Sequence, residues 1–143
     1  MSRQVIIGRI ADFSIRKNKV RLNKIKKNKF RRALLRTALH GINIIQDRMD
    51  AGVTIKGAPF KRYSKEYLKY RLKKGRQAKP NLAFTGQMQS GMTTTATSRM
   101  AKIFFTRPVD AKKARANNKT RPFFGFSNSE KEKLKTKFLK GLR

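Results

Sequence analysis

The feature that most constrains the fold is one stretch of periodicity. Between Lys24 and Met49, the residues Leu34, Leu35, Ala38, Leu39, Ile42, Ile45 and Met49 recur at spacings of three, four and seven. That rhythm lays one apolar stripe along a helix and demands something to bury it. Gly41 falls inside the helix, at a cost of about 1 kcal/mol relative to Ala, so its presence suggests another backbone packing close. Asp50-Ala51-Gly52 then supplies a glycine just past the helix end. His40, the only histidine, lies beside the stripe and reads as structural.

What the helix packs against must come from a lean supply. The chain has 143 residues, enough for one domain with a single core, and 38% of them are hydrophobic. Lys and Arg total 38 against 7 acids, a formal charge of +31. Such a chain repels itself and calls for counterions or a polyanion. Nucleic acid is the first candidate, because Lys and Arg that neutralise phosphates release condensed counterions. Anionic membranes are a weaker one, since no basic helix carries bulky apolar anchors alone. There is no cysteine, which excludes disulfides and thiolate sites. No apolar window is long enough to span a bilayer, and Met1–Ile10 lacks the apolar core of a signal peptide.

Around the helix the chain reads as alternating short elements. Residues 3–10 carry the β-branched run Val5-Ile6-Ile7 and predict a short strand. Residues 16–32 are densely basic without one acid, either a solvated arm or a docking arm. Val53-Thr54-Ile55 predicts another short strand before the turn Gly57-Ala58-Pro59. Ser64 suits the N-cap of a helix over 65–74, with Gly75 as its stop. On that helix Tyr67, Leu68 and Leu72 are expected to face inward, while Lys65, Lys69, Arg71, Lys73 and Lys74 stay in water. Thr85 is expected to cap a helical turn through Gly91.

Residues 93–97 and 101–106 predict two antiparallel strands joined at Ser98-Arg99, the second closed by Pro108. Residues 110–119 suit a short helix. Arg121-Pro-Phe-Phe-Gly-Phe126 forms an aromatic knot, and Ser127 caps a terminal helix over 128–140 with Glu130 in its first turn. The expectation is an α+β fold. One long helix in the N-terminal half packs on a small antiparallel sheet, with shorter basic helices and a C-terminal helix. Residues 1–23 form a basic arm with a short strand, and 24–143 a single domain.

Chemistry is hard to assemble from these residues. Asp47 and Asp50 lie one helical turn apart but read as a polar pair at a helix end. No metal-ligand spacing, phosphate loop or nucleophile elbow is present, so neither an enzyme nor a cofactor is expected. The dense stretch Lys56–Met92 offers a surface instead, with basic residues interleaved among aromatics from Phe60 to Tyr70. Phosphates and stacked bases would suit that pattern; an amphipathic helix with snorkelling lysines explains it more simply. Candidate contacts to a polyanion or partner are Arg16, Lys17, Lys19, Arg21, Lys24, Lys26, Lys27, Lys29, Arg31 and Arg32 in the arm and helix start. Lys61, Arg62, Lys65, Lys69, Arg71, Lys73, Lys74 and Arg76 complete the set. Candidate packing residues are Phe60, Tyr63, Tyr67, Phe84, Met88, Phe123, Phe124 and Phe126.

One ordered set of short motifs resembles a known family. Ile55-Lys-Gly57, Pro59-Phe60, Tyr63-Ser64, Tyr67, Lys74-Gly75 and Leu82-Ala-Phe-Thr85-Gly86 with Met88 and Ser90 follow one another, then Arg121-Pro-Phe-Phe-Gly-Phe-Ser127. In order and spacing, over roughly residues 25–140, this resembles the tail-completion or virion-morphogenesis proteins of tailed bacteriophages. The resemblance implies a small α+β virion protein, assembled in the host cytoplasm into a homo-oligomeric ring at the neck. The ring would join the portal-side connector to the tail tube or terminator, with packaged DNA as a further contact and no membrane. The chain is more basic than that family leads one to expect, and its basic N-terminal arm is a second departure. Composition alone suggests the other reading, a nucleic-acid-binding protein of ribosomal or nucleoid type without sequence specificity.

Overall fold

Helix α1 (Lys27–Ala51) is the axis of the molecule. A computed structural model describes residues 8–9 and 27–143. The buried stripe of α1 runs through Phe30, Ala33, Leu34, Thr37, Ala38, Gly41, Ile42, Ile45, Arg48 and Met49. This corrects the expected stripe, because Leu39 is about half exposed and Leu35 only partly covered. Both sit one residue round from the true seam, where a helix has already turned about 100° away. Gly41 does mark a close approach, but by side chains: a Cβ there would meet the Phe126 ring at 2.9 Å and Ile103 at 3.2 Å.

The sheet that covers this stripe has the order β1-β3-β2, with β1 (Gly8–Arg9), β2 (Met92–Ala96) and β3 (Ala101–Phe105). Both pairings are antiparallel, Gly8 opposite Ile103 and Met92 opposite Phe105. In β3 the alternation is clean: Ala101, Ile103 and Phe105 are buried, with Lys102 and Phe104 only partly so. The β2–β3 turn closes through Thr97, whose N–H donates to Met100 O at 2.8 Å and whose hydroxyl accepts from Arg99 and Met100 N–H. The predicted hairpin is present within one residue at each end. The predicted strand at 53–55 is only a single bridge, Val53 to Pro59, inside a tight loop.

Helix α5 (Asn128–Gly141) lies along α1 on another side, with the Phe30 and Phe138 rings edge to face at 5.3 Å. Ser127 caps it with a full capping box to Glu130. The Glu130 carboxylate then reaches Arg48, which is buried in the α1 stripe and also donates to the Phe123 and Gly125 carbonyls. One arginine thus ties the long helix, the aromatic knot and the last helix together. Phe123 and Phe124 are fully inside, and their N–H groups both donate to Asn118 Oδ1 at 3.0 Å. Helix α4 (Pro108–Thr120) begins at the proline that was expected only to end a strand. The architecture is mixed α+β, as the sequence implied. Outside Gly8–Arg9, the arm 1–23 and the boundary at residue 24 lie outside the described residues.

Candidate functional site

The stretch 52–92 is held in shape by a series of local bonds. Gly52 ends α1 at φ +69 and its carbonyl accepts from Phe60 N–H at 2.8 Å. Within the loop, Thr54 N–H donates to Ala58 O at 2.7 Å, and Phe60 is buried. Ser64 caps helix α2 (Lys65–Lys73) by accepting from Tyr67 N–H at 3.2 Å. After Gly75 the chain turns back, and Asn81 Oδ1 accepts from Ala83 N–H across Leu82, whose φ of +58 is unusual for a side-chain-bearing residue. Gly86, at φ +76, opens the short helix α3 (Gln87–Ser90). Gly86, not Thr85, is therefore the N-cap residue, and the Thr85 hydroxyl only accepts a long 3.4 Å bond from Gln87 N–H.

The chief correction concerns the polarity of α2. Arg71, expected in water, is 1% exposed, whereas Leu72 is 53% and Tyr67 40% exposed, and Leu68 is intermediate. The reason is geometric. Tyr63, Tyr67 and Arg71 follow one another at steps of four and share one face. The guanidinium lies 4.7 Å from the Tyr63 ring centroid, 5.9 Å from Tyr67 and 5.8 Å from Phe84. Its Nε donates to Gln77 O at 3.1 Å, and Nη2 donates to Ala83 O at 3.2 Å and Asn81 Oδ1 at 3.4 Å. Among the described residues no carboxylate pairs with it, so carbonyl oxygens and ring faces compensate the buried charge. Arg71 is the pin around which the returning loop folds.

The rings continue beyond the pin. Tyr63 and Tyr67 meet edge to face at 5.0 Å, Tyr67 and Tyr70 stack at 6.2 Å, and Tyr70 lies parallel to Phe84 at 5.7 Å. Lys74 sits over Tyr70, and Arg76 over Phe84. Together with Leu82 and Met88 these rings line a groove of about 590 Å³. Its other side is Lys113 and Asn117 of α4 with Arg121 just after it. Arg121 joins the two halves: Nε donates to Lys61 O at 2.7 Å, Nη2 to Arg62 O at 3.1 Å, and the guanidinium lies 4.9 Å from the Tyr63 centroid.

A neighbouring charge cluster links α4 to α3. Asp110 is fully buried at the start of α4 and takes two bonds from Arg107, Nε at 2.7 Å and Nη2 at 2.9 Å. The hydrogen bond from Arg107, with the charges of Arg107 and Lys113, outweighs burial and holds the Asp110 carboxyl below its usual range. Arg107 also donates to Gln87 Oε1, linking α4 to α3.

Of the residues singled out in sequence, Tyr63, Tyr67, Arg71, Phe84 and Met88 come together in the groove. Phe60, Phe123 and Phe124 belong to the core, and Phe126 packs against it. Lys27, Lys29, Arg31 and Arg32 are exposed on the first turns of α1, and Lys61, Arg62, Lys65, Lys69, Lys73, Lys74 and Arg76 are exposed around α2. Arg16, Lys17, Lys19, Arg21, Lys24 and Lys26 lie outside the described residues. Sequence reading missed Tyr70, Lys113, Asn117 and Arg121 as groove residues; only the aromatic spacing of Tyr70 signalled its place. Among the described residues no group of His, Asp or Glu could hold a metal ion, and no helix is long and apolar enough to cross a membrane. No family model matches the chain, and comparison with curated proteins and with solved structures finds no match.

Proposed function

We propose that the chain is a structural subunit of the neck of a tailed bacteriophage, building a ring that joins the portal-side connector to the tail. Connector, tail-completion and terminator roles all fall within this reading. The observation that carries it is the union of the two segments on which the resemblance rests. Residues 55–90 and 121–127 are far apart in sequence, yet Ile55 N–H donates to Pro122 O at 2.9 Å and Arg121 holds the carbonyls of Lys61 and Arg62. They form one loop-built platform, which supports treating the motifs as a unit rather than as separate coincidences.

Assembly would use the sheet edge beside that platform. β2 is an edge strand, and residues 80–98 contain no charged side chain in a chain of +31. Natural sheets blunt such edges with Lys, Pro or bulges; β2 itself carries none, and a charged group reaches it from α1, where Arg31 donates to Ala96 O at the strand's end. An edge strand without charges of its own lets like-charged copies approach, and a head-to-tail contact closed by rotation gives a ring. Electron microscopy of the purified protein, alone and with connector and tail components, tests this. Rings, and the protein in virions by mass spectrometry, are expected; a monomer under all these conditions and absent from virions would refute it.

A second reading, nucleic-acid binding without sequence specificity, is favoured by one observation: every Lys and Arg from Lys61 to Arg76 except Arg71 is exposed. Affinity for duplex DNA or RNA should then fall steeply as salt rises. No binding at about 50 mM salt would remove that reading, because its affinity must be largely electrostatic.

A further inference from the structure

We propose that the groove between α2 and α4 is a docking site for an acidic peptide segment of a partner protein, one that carries an apolar anchor. The sign of the partner follows from the lining, which has no Asp or Glu and carries the exposed Lys113 and the half-buried Arg121, with the Arg71 charge buried behind the rings. The hydroxyls of Tyr63, Tyr67 and Tyr70 and the exposed Lys113 ammonium make no hydrogen bond among the described residues, though the Lys113 charge also acts on the buried Asp110. These groups can meet carboxylates. Leu82 and Met88 offer the apolar part that would receive an anchor.

Two observations select a peptide over a nucleic-acid strand. Stacking of bases needs open ring faces, and here each ring already has a neighbour, although Tyr67 and Tyr70 remain 40% and 48% exposed. Tyr70 lies between Tyr67 and Phe84, Tyr63 has two guanidiniums within 5 Å of its centroid, and Phe84 is flanked by Tyr70 and Arg76. A base inserted between them would have to displace these ring and guanidinium contacts, whereas a peptide could use the tyrosine hydroxyls and ring edges without doing so. The second observation is composition. Lysine outnumbers arginine in the chain, yet Lys113 is the single lysine among the described lining residues, beside three tyrosines, a phenylalanine, a methionine and two arginines. Aromatics, Met and Arg are the residues enriched in the cores of protein interfaces, where Lys is depleted. Arg71 also fixes the shape before binding, which lowers the ordering cost of docking.

The test is a titration of the full chain with fluorescein-labelled Asp/Glu-rich peptides bearing one central Phe, Leu or Tyr. A charge-matched peptide without the anchor and an oligothymidylate strand serve as comparisons. At about 300 mM salt, where exposed charges are screened beyond a few ångström, an anchored peptide should bind about tenfold more tightly than the anchorless one. Lys113→Glu and Tyr67→Ala should each remove most of that preference, and Tyr67→Phe part of it. Lys69→Glu makes the same charge change on an exposed side chain outside the groove and should leave it intact. Circular dichroism confirms that each variant is folded. Equal binding with and without the anchor, equal loss for Lys113→Glu and Lys69→Glu, or a Tyr67-dependent preference for the oligonucleotide would each overturn the proposal. Ring formation is read separately by microscopy, so failure of peptide docking and failure of the neck reading are distinguishable.

Discussion

Replacing Arg71 by lysine, which keeps the charge, should damage the groove as much as replacing it by methionine. The guanidinium makes two good charge-assisted bonds, to Gln77 O at 3.1 Å and Ala83 O at 3.2 Å, each of about 1.5–3 kcal/mol. The Asn81 contact at 3.4 Å is too long to count for much. Ring contacts, the nearest to Tyr63 at 4.7 Å, add about 1–2 kcal/mol in a desolvated setting. Opposing these is the cost of burying a charge without a carboxylate, several kcal/mol. The gross terms nearly cancel, so an apolar side chain is not ruined by losing the charge. It is penalised by the two carbonyls left behind, which the loop must open to hydrate, for a loss of about 2 kcal/mol. Lysine puts its charge on one nitrogen, which cannot serve carbonyls six and twelve residues away together, and it keeps the desolvation cost. Arg71→Lys should therefore lose about 2–3 kcal/mol, at least as much as Arg71→Met.

The chain carries its own reporter for this comparison. It has no tryptophan, and all three of its tyrosines, Tyr63, Tyr67 and Tyr70, line the groove. Near-ultraviolet circular dichroism and tyrosine fluorescence thus follow the groove, while far-ultraviolet circular dichroism follows the helices. Urea titrations at about 0.5 M salt, where the self-repulsion of the surface is screened, give both transitions. In either variant the tyrosine transition should move to lower urea, ahead of the helical one. If Arg71→Lys stays within about 0.5 kcal/mol of the parent while Arg71→Met loses about 2, the charge and not the planar fork is what matters. That result would refute the reasoning.

Other parts of the fold make equally direct predictions. Gly91→Ala should destabilise by about 1–3 kcal/mol in chemical denaturation, because its Cβ would lie 2.9 Å from the buried Asp110 Oδ2 and 3.0 Å from Gln87 O. Thr94→Val should be neutral or stabilise by up to about 1 kcal/mol, because the buried Thr94 hydroxyl has no hydrogen-bond partner among the described residues. For Glu130, burial pushes the carboxyl up, but the Ser127 backbone bond and the bonds and charge of Arg48 together hold it below its usual range, as Arg107 does for Asp110. Both carboxyls are depressed on folding, so their contribution is fully present above the ordinary carboxylate pKa of about 4 and is lost as pH falls through the lower folded values. Melting temperature should drop across that acid window, and Glu130→Gln should shrink the drop.

Much of this fold could be read from the residues, and the chief exception has a physical cause. The long helix, the hairpin and the capped last helix follow from local rules: a 3.6-residue period, β-branched alternation and Ser127 three residues before Glu130. The expectation of Arg71 in water failed because a buried charge is not signalled by hydropathy. Arg48 lies in the α1 seam and Arg71 on the buried side of α2, and a hydropathy pattern sets both outside. Each is buried because distant backbone carbonyls converge on it, from Phe123 and Gly125 in one case and Gln77 and Ala83 in the other. Such acceptors are invisible in a helix's own sequence. The one local sign was the choice of arginine amid lysines in Lys65–Lys74, four residues after Tyr67 and eight after Tyr63. Of the groove, its tyrosine side was legible for that reason, while Lys113 and Arg121 reach it only through the packing of α4.

The two roles of positive charge in this molecule are therefore physically separate. Exposed lysines and arginines on α1, α2 and α5 sit in water, where each interaction is weak, screened and indifferent to the shape of the anion. Any polyanion they attracted would be held without a fixed geometry. Arg48, Arg71 and Arg121 instead spend their donors on named carbonyls of their own chain, so what they contribute to recognition is shape. A partner chosen by the first set would lose its hold as salt rises. One chosen by the second would keep much of it, because the ring edges and the apolar pocket beside Leu82 and Met88 do not depend on ionic strength. On the proposed docking, net charge would bring many anions to the surface, and the arginine-pinned groove would distinguish among them.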